Sequence, residues 1–197
     1  MARVAVAGTA NVATGAGGRA NANELATLAA AAIGSDRSDV LVAATGVIGR
    51  LLPMERVRNW FGALDRSGDG VDVETAARAI MTTDTHPKFA EATVGEARIV
   101  GIAKGVGMIE PDMATMLTAV TTDAEVDAVD LESLLRRVVA TTFNAVSIDT
   151  DTSTSDTAFP FASAHAGADD LSRLAAALGH VTSPRPHPTP AGSAGRW

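Results

Sequence analysis

The sequence predicts an α/β fold in which helices pack against a layered sheet. Its 197 residues are 46% hydrophobic but only 4% aromatic, so Ala, Val, Ile and Leu must supply the packing. Short apolar runs alternate with amphipathic helical patterns along the chain, which is the order expected of α/β proteins. A chain of this length can also bury a sizeable hydrophobic core.

The first 81 residues contain strand and helix patterns in alternation. Strands are predicted at residues 4–7 and 40–43, and helices at 23–33, 53–64 and 72–81. The first strand leads into a glycine-rich loop over residues 8–18, and the second ends at Thr45-Gly46. Asn21 or Asn23 can cap the first helix and Gly34 can end it, because these residue types favour those positions.

The rest of the chain continues the same alternation as far as residue 178. Strands are predicted at residues 98–103, 116–120 and 145–148, and helices at 130–143 and 169–178. The helix over 130–143 has the clearest apolar period, and Asp130 is its predicted cap. After the last predicted helix, residues 182–197 are rich in Pro, Gly and Ser, which predicts a disordered tail. At this length the chain could form one domain or two small ones, and we expect residues 1–181 to be its folded part, as a partial domain.

Composition excludes several classes of function. The net charge of −7, without a Lys/Arg cluster, argues against a nucleic-acid partner. The absence of cysteine excludes disulfides and thiolate catalysis. No apolar run approaches the roughly 20 residues of a membrane span. We therefore expect a soluble, cytoplasmic protein without a membrane partner.

Two patterns resemble ligand sites but fail on closer reading. The run Asp65-Arg-Ser-Gly-Asp-Gly70 begins like a calcium loop, yet Ala76 stands where a bidentate Glu is required. The run Gly15-Ala-Gly-Gly18 lacks the spacing of a dinucleotide-binding loop. The four histidines have no zinc-binding spacing. Neither a metal nor a cofactor is expected.

The most informative stretch is Lys104-Gly-Val-Gly-Met-Ile-Glu-Pro-Asp-Met-Ala-Thr-Met-Leu117, in which Thr115 follows the small residue Ala114. A threonine becomes a good nucleophile once the peptide bond before it is broken, because its freed α-amino group can act as the base. That amine titrates near pH 7.7–8.0, roughly, which suits proton transfer. Alternatively, Ala-Thr-Met-Leu simply opens a buried strand.

Six segments, in order over residues 4–159, resemble the ornithine acetyltransferase (glutamate N-acetyltransferase) family, whose members are self-cleaving threonine enzymes. The segments are Ala7-Gly-Thr-Ala-Asn11 with Thr14-Gly15; Val40-Leu-Val-Ala-Ala-Thr-Gly-Val-Ile-Gly49 with Leu52-Pro-Met54; Ile80-Met-Thr-Thr-Asp-Thr85 with Pro87-Lys88; Gly101-Ile-Ala-Lys-Gly-Val-Gly-Met108 through Pro111; Met113-Ala-Thr-Met-Leu117 with Thr121-Thr-Asp-Ala124; and Phe143-Asn144 with Asp151-Thr-Ser-Thr154 and Asp156-Thr157.

The resemblance implies a role for each matching residue. Cleavage is expected between Ala114 and Thr115, and Thr115 is then the nucleophile that carries the acetyl group. Thr45 and Gly46 match the pair that forms the oxyanion hole in the family. Thr82 and Lys104 match substrate-binding positions, as does Thr115 itself. Read without the resemblance, Thr45-Gly46 is a strand-to-loop turn, Thr82 is a cap, and Lys104 is a solvated charge.

The implied reaction moves an acetyl group from N-acetylornithine to glutamate through acetyl-Thr115, in arginine biosynthesis. Acetyl-CoA is a further donor that the resemblance admits, and no cofactor is implied. The two cleaved pieces are expected to stay associated and to form a homo-oligomer. The implied fold is that of the self-cleaving threonine acetyltransferases, as an incomplete, shortened member of the family.

The sequence also departs from the family. Acidic and amide residues that the family supplies from its later half have no counterpart here, and residues 184–197 match nothing in it. Two alternatives to the active acetyltransferase therefore stay open. One is a truncated, catalytically silent relative, and the other is a self-cleaving amidohydrolase that uses the same threonine with water as the acceptor.

Overall fold

The computed structural model describes residues 2–65, 70–105, 116–145, 155–168 and 170–183. The chain divides into two compact units, Met1–Asp72 and Val73–Trp197. Each unit combines helices with β-structure, which confirms the predicted α/β class. Most of the predicted strand at 145–148, the loop at 66–69 and the tail from residue 184 lie outside the described residues.

The first unit contains a parallel pair of strands joined by a helix. Its elements are β1 (Ala2–Thr9), α1 (Gly15–Ile33), β2 (Val40–Val47) and α2 (Met54–Ala63). Parallel strands need such a crossover because a tight hairpin cannot connect them. Leu25, Val40, Leu52 and Phe61 form the buried centre, so both helices pack with the strands in one core. These elements confirm the helices and strands predicted for this part of the chain.

Helix α1 begins eight residues earlier than predicted, at Gly15 instead of residue 23. Neither Asn21 nor Asn23 caps it, because both lie inside the helix. The side chain of Asn11 donates a hydrogen bond to the Gly18 carbonyl at 2.9 Å, and the Thr14 hydroxyl donates to the Asn11 carbonyl at 2.8 Å. These bonds stabilise a first turn whose glycines have low helix propensity. The helix ends as predicted at Gly34, which has a left-handed conformation.

The second unit is built on a sheet with the strand order β3-β4-β5-β6. Its elements are α3 (Val73–Ala79), β3 (Lys88–Val94), β4 (Ala97–Lys104), β5 (Leu117–Glu125), α4 (Ala128–Thr141), β6 (Thr157–Ala168) and α5 (Leu171–Thr182). Neighbouring strands are antiparallel except for β5 and β6, which are parallel. Ile99 and Val120 of the sheet share a buried core with Leu134 of α4 and Leu178 of α5.

The two strands at the edges of this sheet, β3 and β6, were not predicted from the sequence. Strand β3 alternates between exposed residues and residues that are buried or partly buried, and it has no continuous apolar run. Strand β6 contains Pro160, which is tolerated at a sheet edge because an edge strand does not need every backbone donor. Helix α4 also begins earlier than predicted: its cap is Asp127, not Asp130, since the Asp127 carboxylate accepts from two backbone N–H groups. None of the described helices is long and apolar enough to cross a membrane.

Candidate active site

One end of the four-stranded sheet collects polar and charged groups. Lys88 starts β3 beside the end of β4, where Lys104 pairs in register with Leu117 at the start of β5. Leu117 in turn pairs with Thr157 at the start of β6. The register therefore places all four strand ends in a row. We call this row, with Asp84, Lys88, Lys104, Met116 and Asp156, the polar sheet end.

A buried ion pair between Lys88 and Asp84 lies on the β3 side of the polar sheet end. Their side chains are 3% and 0% exposed. The Lys88 ammonium also donates to the Gly105 carbonyl at 2.8 Å, while the Gly105 N–H donates to Asp84 Oδ1 at 2.9 Å. The Thr82 N–H donates to Asp84 Oδ2 at 3.2 Å. The pair therefore fixes the backbone at both Thr82 and Gly105.

Hydrogen bonding decides the ionisation of Asp84. Burial alone would raise the pKa of its carboxyl group, because desolvation disfavours the charged form. The hydrogen bonds from Lys88, Gly105 and Thr82, together with the charge of Lys88, outweigh that effect and lower the pKa below its usual value. Asp84 is therefore an ionised group whose two oxygens both have partners.

Lys104 is buried, at 3% exposure, and is not a solvated surface charge. Its ammonium donates to the hydroxyl of the exposed Thr82 at 3.2 Å, so the structure brings these two predicted substrate-binding residues together. Burial lowers the pKa of Lys104; the charge of Lys88 lowers it further, and those of Asp84 and Asp156 oppose the shift. An ammonium has three donors, and the bond to Thr82 uses one of them within the described residues.

Asp156 lies on the β6 side of the polar sheet end, immediately before β6. One carboxylate oxygen, Oδ1, accepts a hydrogen bond from the Met116 N–H. The other, Oδ2, is buried and has no hydrogen-bond partner in the part of the chain that the structure describes. Burial raises the pKa of Asp156 to about 6, although the Met116 N–H and the charge of Lys104 oppose the shift. Asp156 is thus poised to change its charge near neutral pH.

Thr45 and Gly46 belong to strand β2 of the first unit. Thr45 is fully buried, and its hydroxyl oxygen has no hydrogen-bond partner among the described residues. Gly46 has a φ of +128°, and a Cβ atom there would lie 2.3 Å from the Gly8 carbonyl carbon. Only glycine fits this position, since both the backbone angle and the close strand exclude a side chain. The strand continues through both residues to Val47.

The predicted cleavage site, Ala114 and Thr115, lies outside the described residues; the description resumes at Met116. Sequence reasoning did not assign a role to Asp84, Lys88 or Asp156, although all three lie within the segments that carry the family resemblance. The sequence did contain a signal for the ion pair of Asp84 and Lys88. These two residues of opposite charge are four apart, and the second is the first residue of a strand.

Sequence comparison identifies the family. The model of the ArgJ family matches residues 1–184. The chain belongs to the ArgJ family. The "Glutamate N-acetyltransferase Oat2" of Streptomyces clavuligerus is 53% identical over 175 residues, which cover 89% of this chain and 44% of that protein.

Two further relatives carry the name "Arginine biosynthesis bifunctional protein ArgJ". That of Rhodococcoides fascians is 54% identical over 82% of this chain and 40% of its own length. The ArgJ 2 protein of Nostoc sp. is 46% identical over 90% of this chain and 46% of its own length. The chain therefore spans less than half the length of these relatives.

A solved structure is also similar to this ArgJ-family chain. The crystal structure of the arginine biosynthesis bifunctional protein argJ from Bacillus halodurans is 32% identical, with a TM-score of 0.47 over 54% of this chain and 58% of that one. The membership of the family rests on the sequence matches.

Proposed function

We propose that the protein is an acetyltransferase of arginine biosynthesis that moves an acetyl group from N-acetylornithine to glutamate through Thr115. The observation that carries the proposal is the buried Lys104 ammonium at the end of β4, in register with Leu117 at the start of β5. Leu117 follows Thr115 by two residues in the sequence, so this register supports a substrate role for Lys104 beside Thr115. The printed names of the relatives, a glutamate N-acetyltransferase and an arginine biosynthesis bifunctional protein, support an acetyltransferase of arginine biosynthesis.

The first step is self-cleavage between Ala114 and Thr115. The Thr115 hydroxyl oxygen attacks the Ala114 carbonyl carbon, the C–N bond breaks, and the chain is held by an ester. Water then opens the ester, which leaves a carboxylate on Ala114 and a free hydroxyl and α-amino group on Thr115. The chain thereby gains its nucleophile and its base in one reaction.

The second step is acetyl transfer. The Thr115 α-amine accepts the hydroxyl proton, and the oxygen takes the acetyl group from N-acetylornithine, whose α-nitrogen leaves with that proton. The α-amino nitrogen of glutamate then attacks the acetyl carbonyl carbon. The ester bond to Thr115 breaks, and the Thr115 oxygen takes back a proton through the α-amine. Lys104 and Thr82 bind the carboxylate of either substrate, and Thr45 and Gly46 supply the donors for the oxyanion, a contribution of roughly 10²–10³ in rate per donor.

The remaining features of the function are part of the same proposal. Acetyl-CoA is a further acetyl donor, the two cleaved pieces stay associated, and the assembly is a homo-oligomer located in the cytoplasm. The division into a domain over residues 1–181 and a tail over 182–197 is also retained as a prediction.

The test uses intact-mass measurement after incubation with N-acetylornithine. We expect the piece that begins at Thr115 to gain the mass of one acetyl group, and glutamate to remove it as N-acetylglutamate. A Thr115→Ala chain should gain none, whereas Thr121→Ala, a change at an exposed threonine of β5, should behave as the wild type. Acetate released without glutamate would favour the amidohydrolase, and a chain without any acetyl gain would favour the silent relative.

Lys104 gives a second test of the same site. Lys104→Met removes the buried cation, so we expect KM for N-acetylornithine to rise by about tenfold or more, because a charge-assisted hydrogen bond contributes roughly 1.5–3 kcal/mol. Arg137→Met, on the exposed part of α4, is the control and should leave KM unchanged. An unchanged KM in Lys104→Met contradicts a substrate role for Lys104.

A further inference from the structure

Asp156 is the one carboxylate of the polar sheet end, among the described residues, with an oxygen left unused. Its Oδ1 accepts from the Met116 N–H, and its Oδ2 is buried without a hydrogen-bond partner. A buried oxygen without a partner costs stability, since it has lost its hydrogen bonds to water. A buried acceptor of this kind is expected to receive a hydrogen bond in the working protein. The position of Oδ2 indicates which group is the donor.

The bonded partner of Asp156 identifies the neighbouring donor. Met116 N is the nitrogen of the peptide bond that follows Thr115. Three covalent bonds separate it from the α-nitrogen of Thr115, so the two nitrogens cannot lie more than about 4 Å apart. A carboxylate anchored on the first nitrogen therefore has its second oxygen within reach of the next nitrogen back along the chain.

We propose that Asp156 is a positioning residue for Thr115: Oδ1 holds the Met116 N–H, and Oδ2 accepts a hydrogen bond from the α-amino group that cleavage frees. The proposal rests on the proposed function. One N–H of the amine donates to Oδ2, and its lone pair faces the Thr115 hydroxyl, whose proton it accepts. In the intact chain that nitrogen is still part of a peptide bond, so the role of Asp156 begins after cleavage.

The charge around Asp156 fits this role. Lys104 on β4 is the charged group whose field reaches the carboxylate, and it favours the ionised form without satisfying Oδ2. Asp84 and Lys88, on the β3 side, are occupied with each other and with Gly105. None of the described groups donates to Oδ2 in the structure.

Asp156→Asn separates the two functions of the side chain. An asparagine oxygen can still accept from Met116, but its amide nitrogen donates and cannot accept from the amine. We expect Asp156→Asn to fold, to melt no lower than the wild type and to cleave. Its acetyl loading from N-acetylornithine at neutral pH should fall roughly ten- to a hundredfold, and its rate should begin to decline at a lower pH than that of the wild type, because a neutral side chain no longer favours the protonated amine.

The matched control is Asp123→Asn on β5, where the carboxylate also accepts a backbone N–H, that of Arg98 at 2.6 Å, but in an exposed position. It should load acetyl as the wild type does. Loading by Asp156→Asn at the wild-type rate, or with the wild-type pH profile, overturns the proposal. So does a lower melting temperature that accounts for the lost activity, or a folded variant that fails to cleave.

These outcomes differ from a failure of the proposed function. If the wild-type chain itself never cleaves, both proposals fail together. If the wild type cleaves and loads acetyl while Asp156→Asn does so equally well, only the role of Asp156 is lost.

Discussion

Asp84 and Asp156 stand at opposite sides of the same sheet end, yet their carboxyl groups behave in opposite ways. Asp84 precedes the edge strand β3, and Asp156 precedes the edge strand β6. The pKa of Asp84 is lowered because Lys88, Gly105 and Thr82 all donate to it. The pKa of Asp156 is raised to about 6 because burial outweighs its bond with Met116 and the charge of Lys104.

The difference separates a structural carboxylate from a functional one. Desolvation acts on both groups, so the number of donors decides the sign of the shift. A fully satisfied carboxylate fixes the backbone around it and has no capacity left for chemistry. A half-satisfied one costs stability at neutral pH, and such a cost is typical of active sites.

The largest expected effect comes from removing the charge of Asp84. Asp84→Asn leaves the Lys88 ammonium buried without its counter-charge, so we expect the free energy of unfolding to fall by about 3–5 kcal/mol. Urea unfolding of the Thr115→Ala chain, which keeps the protein in one piece, measures it. The control is Glu132→Gln in an exposed pair with Arg136. A loss for Asp84→Asn as small as that of the control would show that the pair is not structural.

A double substitution sharpens the structural side of the comparison. Lys88→Met removes the buried cation, so Asp84→Asn combined with Lys88→Met should be more stable than Asp84→Asn alone. The coupling energy of this cycle should reach about 1–3 kcal/mol, as expected for directly bonded groups. Strictly additive losses would contradict the direct interaction of the two side chains.

The pH dependence of stability should have opposite signs at the two residues. The lowered pKa of Asp84 gives stability that is present above about pH 4, the unfolded value, and lost as the pH falls through the folded pKa. The raised pKa of Asp156 makes stability fall as the pH rises from about 4 to about 6.

Unfolding curves at a series of pH values test these signs. Asp156→Asn should remove the fall between about pH 4 and 6, and the combined Asp84→Asn and Lys88→Met variant should weaken the loss in acid. If both residues contribute with the same sign, the contrast drawn between them is wrong.

The smallest effect is expected at an exposed ion pair of the same sheet. Arg98 donates to Glu91 at 2.6 Å across β3 and β4, but both side chains are exposed, at 61% and 38%. Because water screens such pairs, Glu91→Gln should change the free energy of unfolding by less than about 1 kcal/mol. A loss comparable with that of Asp84→Asn would mean that burial does not distinguish the two ion pairs.

Much of the fold could be predicted because its central elements carry periodic apolar residues. Strand β4 and helix α4 were recognised from such patterns, and Gly34 from the preference for glycine at a helix end. Edge strands β3 and β6 were missed because one face of an edge strand need not be apolar. The start of α1 was missed because Asn11 and Thr14 stabilise a glycine-rich turn through contacts that propensity does not include.

The candidate site was only partly accessible from the sequence. Thr82 and Lys104 were found through the family resemblance, and the structure shows that their side chains are hydrogen-bonded. The donors to Asp84 and the unused oxygen of Asp156 depend on which strand ends lie side by side. That information lies in the register of the sheet, which the order of residues along the chain does not reveal.

The most direct test of the account is the mass of the purified wild-type chain after incubation near neutral pH. We predict two pieces, one that ends at Ala114 and one that begins at Thr115, and a single intact chain for Thr115→Ala. A wild-type chain that stays intact under native conditions, or that breaks at another bond, contradicts the assignment of Thr115 as the nucleophile.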